Sequence, residues 1–247
     1  MVEMCRVAVE RGIPEIGFSD HFDLHPLDEC RGWFKPATWW PEIEACRRQF
    51  AGRLVIRAGL EIGEPHLFQP EVQALLSTLP FDYTIGSLHH INDHFMFDED
   101  YFRRVPAEAV YQEYFSELEA MTRTGGFDVL GHLDIPTRTA FSIYGEYEPQ
   151  RYEGAIRAVL QNCIDRGIAI DLNAVGLRLP IGRTFPGLEI LRWYTEMGGE
   201  RISLGSDAHR PEHVGAHLET TLQIARTAGL SHITQFELRQ AKLIPIP

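Results

Sequence analysis

Six apolar segments of this chain each end abruptly in a histidine or a carboxylate. The segments are GFSDH at His21, RAGLEIGE at Glu61, YTIGSLHH at His89, VLGHLD at His132, AIDLNA at Asp171, and ISLGSDAH at Asp207 and His209. Short apolar runs with polar boundaries are typical of buried strands. A buried strand that ends in such a residue delivers it to the rim of a sheet or barrel. The pattern therefore favours a fold in which many strand ends face one place.

Amphipathic segments alternate with these strands. We predict helices over 1–11, 38–46, 70–79, 106–123, 149–166, 186–197 and 213–228, and strands over 14–18, 54–60, 83–87, 127–130, 168–172, 202–204 and 232–234. Such alternation predicts βαβ units and a parallel α/β sheet, with the carboxyl ends of the strands on one face. No linker or low-complexity segment interrupts the series, which favours a single domain over residues 1–247. Two excursions, Asp23–Lys35 and Ala174–Thr184, follow strand ends and are expected to overhang the site.

Charge and composition exclude several classes of protein. The formal net charge of −12 disfavours binding along a nucleic-acid backbone, although a local arginine cluster can still bind a small phosphate ester. The four cysteines are scattered and form no Cys-x-x-Cys pair, which is typical of reduced thiols in a cytoplasmic protein. We find neither an apolar stretch long enough for a membrane span nor a signal peptide.

Histidine, glutamate and aspartate at converging strand ends are the ligands of Zn²⁺, Mn²⁺ or Fe²⁺. Glu61 is informative because a carboxylate within an apolar run is costly unless it is paired or bound to metal. Asp207 and His209 are two residues apart, so an extended chain presents both on one side. Each motif also has a structural interpretation, such as a turn, a helix cap or a hydrogen-bonded core histidine. Together they favour a metal-dependent hydrolase.

Several neighbouring residues are assigned smaller roles. Only one of His89 and His90 is expected to enter the site, because successive strand residues face opposite sides. We expect Glu64 to be a solvated loop charge and Asp134 to orient a neighbouring imidazole. The remaining histidines are interpreted as surface or packing residues: His25, His66, His94, His213, His217 and His232.

The motifs SDH, GLEIGE, GSLHH, GHLD and GSDAH, in this order, resemble the PHP (polymerase and histidinol phosphatase) family, and most closely its histidinol-phosphate phosphatase branch. The resemblance implies a distorted, TIM-like (β/α)₇ barrel that holds two or three divalent ions. It implies that His21 and His209 bind one ion and that Glu61, His89 and His132 bind a second. Glu61 would bridge to a third ion, which Asp207 also binds.

The sequence departs from the family at its start. The family opens with a strand that carries His-x-His, whereas Met1–Arg11 matches the helix that follows that strand. Loss of the strand by truncation and a genuinely degenerate member are the two explanations, and we favour truncation because an absent strand leaves an open barrel edge. The ion bound by Asp207 would then lack ligands, and we expect weak or no activity from the chain as it stands.

The resemblance also implies an activity. We expect hydrolysis of a small phosphomonoester, most specifically histidinol phosphate in histidine biosynthesis, with Asp207 and His209 as catalytic residues. Arg138 after GHLD and Arg178 in NAVGLR are candidate phosphate ligands, with surface charge as the alternative. Another PHP phosphoesterase, a PHP nuclease and a non-catalytic binding module remain alternatives.

Overall fold

The protein has a curled sheet of six parallel strands with helices packed against it. The computed structural model describes residues 1–246. Its strands are β1 Glu15–Phe22, β2 Val55–Gly63, β3 Tyr83–Ser87, β4 His90–Ile91, β5 His94–Phe95, β6 Val129–Leu130, β7 Ala169–Asn173, β8 Ile202–Gly205, β9 His232–Glu237 and β10 Gln240–Pro245. Its α-helices are α1 Val2–Glu10, α2 Pro36–Gln49, α3 Gln69–Leu76, α4 Glu99–Arg104, α5 Ala107–Thr124, α6 Thr137–Tyr144, α7 Glu153–Arg166, α8 Leu188–Glu196 and α9 Leu218–Thr227.

The order of strands in the main sheet is β1-β2-β3-β6-β7-β8, and every neighbouring pair is parallel. The predicted parallel α/β architecture is therefore confirmed. Within residues 1–246, β1 and β8 form the two edges of this sheet. Because all six strands run in one direction, their carboxyl ends lie along one rim, where the polar residues predicted from the sequence are found.

Two apolar clusters hold the helices on the sheet. One cluster packs α1 and α2 against β1 and β2 and includes the fully buried Ile43 and Leu60. The larger cluster packs α5, α7 and α8 against β6, β7 and β8 and includes the fully buried Phe115 and Leu160. Burial of this apolar surface fixes the helices on the outside of the sheet and leaves the strand ends free to form a site.

Tyr83 lies across two glycines below the rim. A Cβ atom at Gly59 would lie 2.3 Å from Cζ of Tyr83, and one at Gly17 would lie 2.3 Å from its hydroxyl oxygen. These positions on β1 and β2 therefore require glycine for the ring to cross them. The Tyr83 hydroxyl hydrogen-bonds Ser19, two residues before His21 on the same strand. The ring thus supports β1 directly beneath the site.

A two-stranded hairpin, β9–β10, closes the opposite end of the sheet. Its turn residue Arg239 forms ion pairs with Asp128, with Nε 2.9 Å from Oδ2 and Nη2 3.1 Å from Oδ1. The amide of Leu238 donates to Oδ1 of Asp82 at 3.2 Å. The hairpin is therefore tied to the amino ends of the strands, away from the rim that carries the histidines.

The sequence missed some elements and misplaced others. It predicted neither the two-residue strands β4 and β5, nor the short helices α4 and α6, nor β10. Elements this short carry too few residues to show a hydrophobic period. Helix α2 begins at Pro36 rather than at Thr38, because Pro is favoured in a first turn and the Thr38 hydroxyl bonds the carbonyl of Lys35. Among residues 1–246 we find no helix with the length and apolarity of a membrane span.

Candidate metal centre

Four adjacent strands supply the centre of the site. His21 of β1 and Glu61 of β2 are register partners, so their side chains lie side by side on the same face. His89 follows β3 and His132 follows β6, the next two strands in the sheet. The four predicted ligands His21, Glu61, His89 and His132 therefore meet at one rim, as expected for the carboxyl ends of parallel strands.

Glu61 lies at the middle of three imidazoles. Its Oε1 is 3.1 Å from Nε2 of His132 and 3.3 Å from Nε2 of His89, and its Oε2 is 3.9 Å from Nε2 of His21. The Ser87 hydroxyl donates to Oε1 at 2.7 Å. All three rings thus turn the same nitrogen, Nε2, towards one carboxylate. Donor atoms of His21, Glu61 and His89 lie within 4.8 Å of one another, as residues that share a metal ion do.

Asp23 holds two of these rings from behind. Its Oδ2 is 3.0 Å from Nδ1 of His21 and its Oδ1 is 3.2 Å from Nδ1 of His89, and it is only 1% exposed. A Cβ atom at Gly63 would lie 2.3 Å from Oδ1 of Asp23, so glycine there makes room for the carboxylate. A carboxylate on Nδ1 fixes the proton there and leaves the Nε2 lone pair free for a metal. Asp23 was not predicted from the sequence, because it lies just after β1 and its partner His89 is 66 positions away.

The charges in this cluster compensate one another. Burial alone would lower the pKa of His21, but the hydrogen bond to Asp23 and the charge of Glu61 outweigh it and raise that pKa to about 9. Burial would raise the pKa of Asp23, yet its hydrogen bonds to His21 and His89 lower it to about 2. Burial also opposes ionisation of Glu61, but the hydrogen bond from His132 and the charge of His21 hold its pKa well below the usual range. Both carboxylates are therefore ionised at neutral pH, Glu61 facing the Nε2 atoms and Asp23 holding the Nδ1 atoms.

Asp207 and His209 approach this cluster from the other edge of the sheet. The rings of His21 and His209 have their centroids 6.0 Å apart, although His21 lies on β1 and His209 follows β8, the opposite edge strands of the sheet. The His209 side chain is 71% exposed, and its Nδ1 lies 3.3 Å from Oδ1 of Asp207. The backbone of Asp207 has a φ of +48°, an unusual value for a residue other than glycine. The structure thus brings the last sequence motif to the same rim, with His209 at its open side.

Asn173 joins Asp207 to a further buried carboxylate, Asp171. The Asn173 amide nitrogen is 3.0 Å from Oδ2 of Asp171 and 3.5 Å from Oδ2 of Asp207. Its oxygen accepts from the amide of Val175 at 2.9 Å, which fixes the direction of the amide group. Burial raises the pKa of Asp171 to about 7, and the charges of Asp207 and Glu61 act in the same direction. Asp171, at the end of the fifth apolar segment, is thus part of the same electrostatic site.

The two candidate phosphate ligands lie near this rim. Arg138, at the start of α6, is exposed and stacks on Phe97, with its Cζ 4.8 Å from the ring centroid. Arg178 donates to the carbonyls of Ser206 at 2.6 Å and Asp207 at 3.0 Å. Burial lowers the pKa of Arg178, and the charge of Arg138 lowers it further. Two guanidinium groups close enough to repel each other form a local positive region that suits an anion.

Two of the smaller predictions were wrong. Glu64 is 1% exposed rather than solvated, because its Oε1 accepts the amides of His89 and His90 at 2.7 and 2.8 Å. Asp134 pairs with Arg183 at 2.9 Å rather than with an imidazole. In each case a partner distant in sequence makes burial of the polar group favourable.

Two other expectations agree with the geometry. His89 enters the site, whereas His90 turns to the opposite side and stacks on His25 with a centroid distance of 4.1 Å. The alternation of side chains along an extended strand accounts for this division. His25 is accordingly a buried packing residue, one of the two possibilities for it.

The residues present fit a divalent ion. The donor set consists of imidazole Nε2 atoms and a carboxylate, the ligands that zinc and related ions prefer. Asp23 supplies the outer hydrogen bonds that metal-bound histidines normally make. The side chain of Glu61 is 13% exposed, so the donors reach solvent through an opening at the rim.

The chain is similar to known proteins along most of its length. A family model described as the PHP domain matches residues 1–175. A probable histidinol-phosphatase of Deinococcus radiodurans is 30% identical over 98% of this chain and 92% of its own length. A histidinol-phosphatase of Lactococcus lactis is 24% identical over 93% of this chain and 85% of its own length.

A solved structure has the same fold. The crystal structure of a histidinol phosphate phosphatase from Lactococcus lactis, complexed with zinc, L-histidinol and phosphate, superposes with a TM-score of 0.87 at 21% identity. The match covers 97% of this chain and 91% of that chain. The family model covers most of the chain and carries the motifs from SDH to GHLD. The chain therefore belongs to the PHP domain family, as the motifs of the sequence predicted.

Proposed function

We propose that this chain is a metal-dependent phosphatase that hydrolyses histidinol phosphate to histidinol and inorganic phosphate. The observation that carries the proposal is the arrangement around Glu61, where three imidazoles present Nε2 to one carboxylate and Asp23 fixes two of the rings. The names of the curated relatives support the choice of substrate. The zinc, L-histidinol and phosphate of the Lactococcus lactis structure support it further.

Two groups of residues would hold the ions. Glu61, His89 and His132 form one set of ligands, while His21 and His209 form another at the open side. Asp207 completes the arrangement next to Asn173. The ions are proposed to be Zn²⁺, Mn²⁺ or Fe²⁺, which imidazole and carboxylate ligands both suit. When bound, such ions make water a nucleophile at neutral pH and offset the charge that develops on the phosphoryl group.

The protein's own side chains bind and orient the substrate. Arg138 and Arg178 would fork onto the phosphate oxygens, since a guanidinium group matches two oxygens at once. Asp23 keeps the proton of His21 and His89 on Nδ1, away from the face that the phosphate approaches. As the ester P–O bond breaks and a P–O bond to water forms, the leaving alkoxide needs a proton. Water admitted at the open side of the rim would supply it, while His209 keeps its proposed role as a ligand.

The test is phosphate release from histidinol phosphate with Mn²⁺, Zn²⁺ or Fe²⁺ added, and with EDTA as the negative control. His132→Ala and Asp207→Ala should each lower kcat by at least roughly 10–100-fold, because that is the loss typical when only an outer hydrogen-bond partner of a metal ligand is removed. His94→Ala is the matched control, because His94 is an exposed histidine that stacks on Tyr101 outside the site.

A second protein, with a His-x-His strand placed ahead of Met1, should be assayed in parallel. Metal-dependent turnover by either protein, lost in the two site variants and kept in His94→Ala, supports the proposal. Absence of turnover from both proteins with every metal would reject it. A preference for other phosphate esters over histidinol phosphate would reject the substrate while keeping the reaction.

A further inference from the structure

Arg183 joins two loops that carry site residues. It lies in the excursion 174–184 between β7 and α8, which we call the strap. Its Nη1 is 2.9 Å from Oδ2 of Asp134, and its Nη2 donates to the Thr137 hydroxyl at 2.9 Å. Asp134 lies in the loop between β6 and α6, and Thr137 is the first residue of α6, directly before Arg138. The guanidinium group thus spans from the strap to that loop.

The strap is fixed on its other side as well. The backbones of Asn173 and Phe185 exchange hydrogen bonds of 2.9 and 3.0 Å. Arg178, also on the strap, donates to the carbonyls of Ser206 and Asp207 after β8. The strap, which is itself the connection after β7, therefore carries Arg178 in a defined position and contacts the segments that follow the two neighbouring strands, β6 and β8.

Arg183 is itself closely held. Its Cζ lies 5.2 Å from the ring centroid of Tyr147 and 5.7 Å from that of Phe185. A Cβ atom at Gly187 would lie 2.6 Å from Nη1, so the close approach of the guanidinium depends on glycine there. Asp134 is fully buried, which makes the ion pair with Arg183 necessary for its charge to be tolerated.

The position of Arg138 depends on what Arg183 holds. Arg138 follows Thr137 at the start of α6, and its amide donates to the carbonyl of Ile135 at 2.9 Å. The Thr137 hydroxyl donates to the carbonyl of Asp134 at 2.7 Å. The Arg138 side chain is exposed and is supported by the Phe97 ring. Its placement is therefore set mainly by the turn over residues 134–137, which Arg183 fixes at both ends.

We propose that Arg183 is a positioning residue of the phosphate site, which sets the separation of Arg138 and Arg178 through Asp134 and Thr137. The inference rests on the proposed function in one respect, that Arg138 and Arg178 bind the phosphate. Arg183 does not bind the phosphate itself, because its guanidinium group is paired with the buried Asp134 carboxylate, which would repel an anion.

Binding of inorganic phosphate to the metal-loaded chain tests this inference without any turnover. Isothermal titration calorimetry gives the phosphate Kd, metal analysis gives the ion content, and thermal denaturation gives the Tm. Arg183→Gln should weaken phosphate binding by roughly tenfold or more at unchanged metal content. It should also lower the Tm, because Asp134 keeps a buried charge without its cation. Arg183→Lys keeps the positive charge but cannot bond Asp134 and Thr137 with two separate nitrogens. Its phosphate Kd should therefore lie between those of the wild type and Arg183→Gln.

The double variant Asp134→Asn with Arg183→Gln separates positioning from stability. It removes the uncompensated charge, so much of the Tm should return while phosphate binding stays weak. Arg157→Gln is the matched control, since Arg157 is likewise held by an ion pair and an aromatic ring. It pairs with Glu153 and Glu196 and lies 5.4 Å from the ring centroid of Trp193, on the outer surface. Its phosphate Kd should equal that of the wild type.

Two results would show that Arg183 only stabilises the fold through its ion pair. One is a phosphate Kd of Arg183→Gln within twofold of the wild-type value. The other is a double variant that regains phosphate affinity together with its Tm. Loss of metal from Arg183→Gln would also overturn the inference, because it would place the effect at the ligands. A wild-type chain that binds no phosphate overturns it too. If only the proposed function fails, the result is different. The wild-type chain would bind phosphate and Arg183→Gln would weaken that binding as expected, but histidinol phosphate would not be hydrolysed.

Discussion

Replacement of Asp23 by asparagine should weaken metal binding without a change of shape. Asparagine has nearly the same volume, but one acceptor oxygen becomes a donor NH₂ group. Only one of His21 and His89 can then donate from Nδ1 to this side chain. The other ring must either lose its partner or move its proton to Nε2, which faces Glu61 and the metal. One correctly oriented ligand is lost in both cases.

Two independent arguments give the size of the effect. A hydrogen bond to a charged group contributes about 1.5–3 kcal/mol. Loss of an outer-shell partner of a metal ligand typically lowers metal affinity roughly 10–100-fold, which corresponds to about 1.4–2.8 kcal/mol. The two ranges agree, and the 1% exposure of Asp23 removes solvent as a substitute partner. We therefore expect the Zn²⁺ Kd of Asp23→Asn to rise by roughly one to two orders of magnitude.

Competition titration with a chromophoric chelator measures this Kd. Asp20→Asn is the matched control, because Asp20 is an exposed residue of β1, three positions before Asp23, on the face of the strand opposite His21. Its Zn²⁺ affinity should equal that of the wild type. If Asp23→Asn binds Zn²⁺ within twofold of wild type, Asp23 does not orient the two imidazoles and the reasoning is refuted.

Three further predictions concern the scaffold. Gly59→Ala should destabilise the chain by about 1–3 kcal/mol in urea denaturation, because its Cβ would displace the Tyr83 ring; an unchanged midpoint would contradict that packing. Arg239→Gln should cost about 1.5–3 kcal/mol through its bonds to Asp128 while kcat stays at the wild-type value, since the hairpin lies at the opposite end from the rim. Iodoacetamide should alkylate Cys30 first under native conditions, because Cys30 is partly exposed while the other three cysteines are fully buried. Mass spectrometry that finds another cysteine modified earlier would count against this.

The strand ends were predictable from the sequence because burial and polarity change there abruptly. Glu61 stood out as a carboxylate in an apolar run, and His89 was separable from His90 by the alternation of a strand. His21, His132 and Asp207 were recognisable as strand-end residues of the same kind. These are local signals, and the parallel topology turned them into one site.

The residues that the sequence did not reveal depend on partners far along the chain. Asp23 pairs with His89 across 66 positions, and Arg183 pairs with Asp134 across 49. No local pattern distinguishes such a carboxylate from a solvated one, which is also why Glu64 was misjudged. Asp23 did carry one usable signal: it follows His21 by two positions, and two such residues on an extended chain share a face.

The central claim is that His21, Glu61, His89 and His132 bind divalent metal at one rim of the sheet. The most direct measurement is elemental analysis of protein isolated without chelators, followed by Zn²⁺ titration of chelator-treated protein. The account predicts tightly bound metal in the wild type and its loss in Glu61→Gln, which keeps the shape but removes the charge that faces three imidazoles. Protein that carries no metal and takes up none on titration would contradict it, as would Glu61→Gln with wild-type affinity.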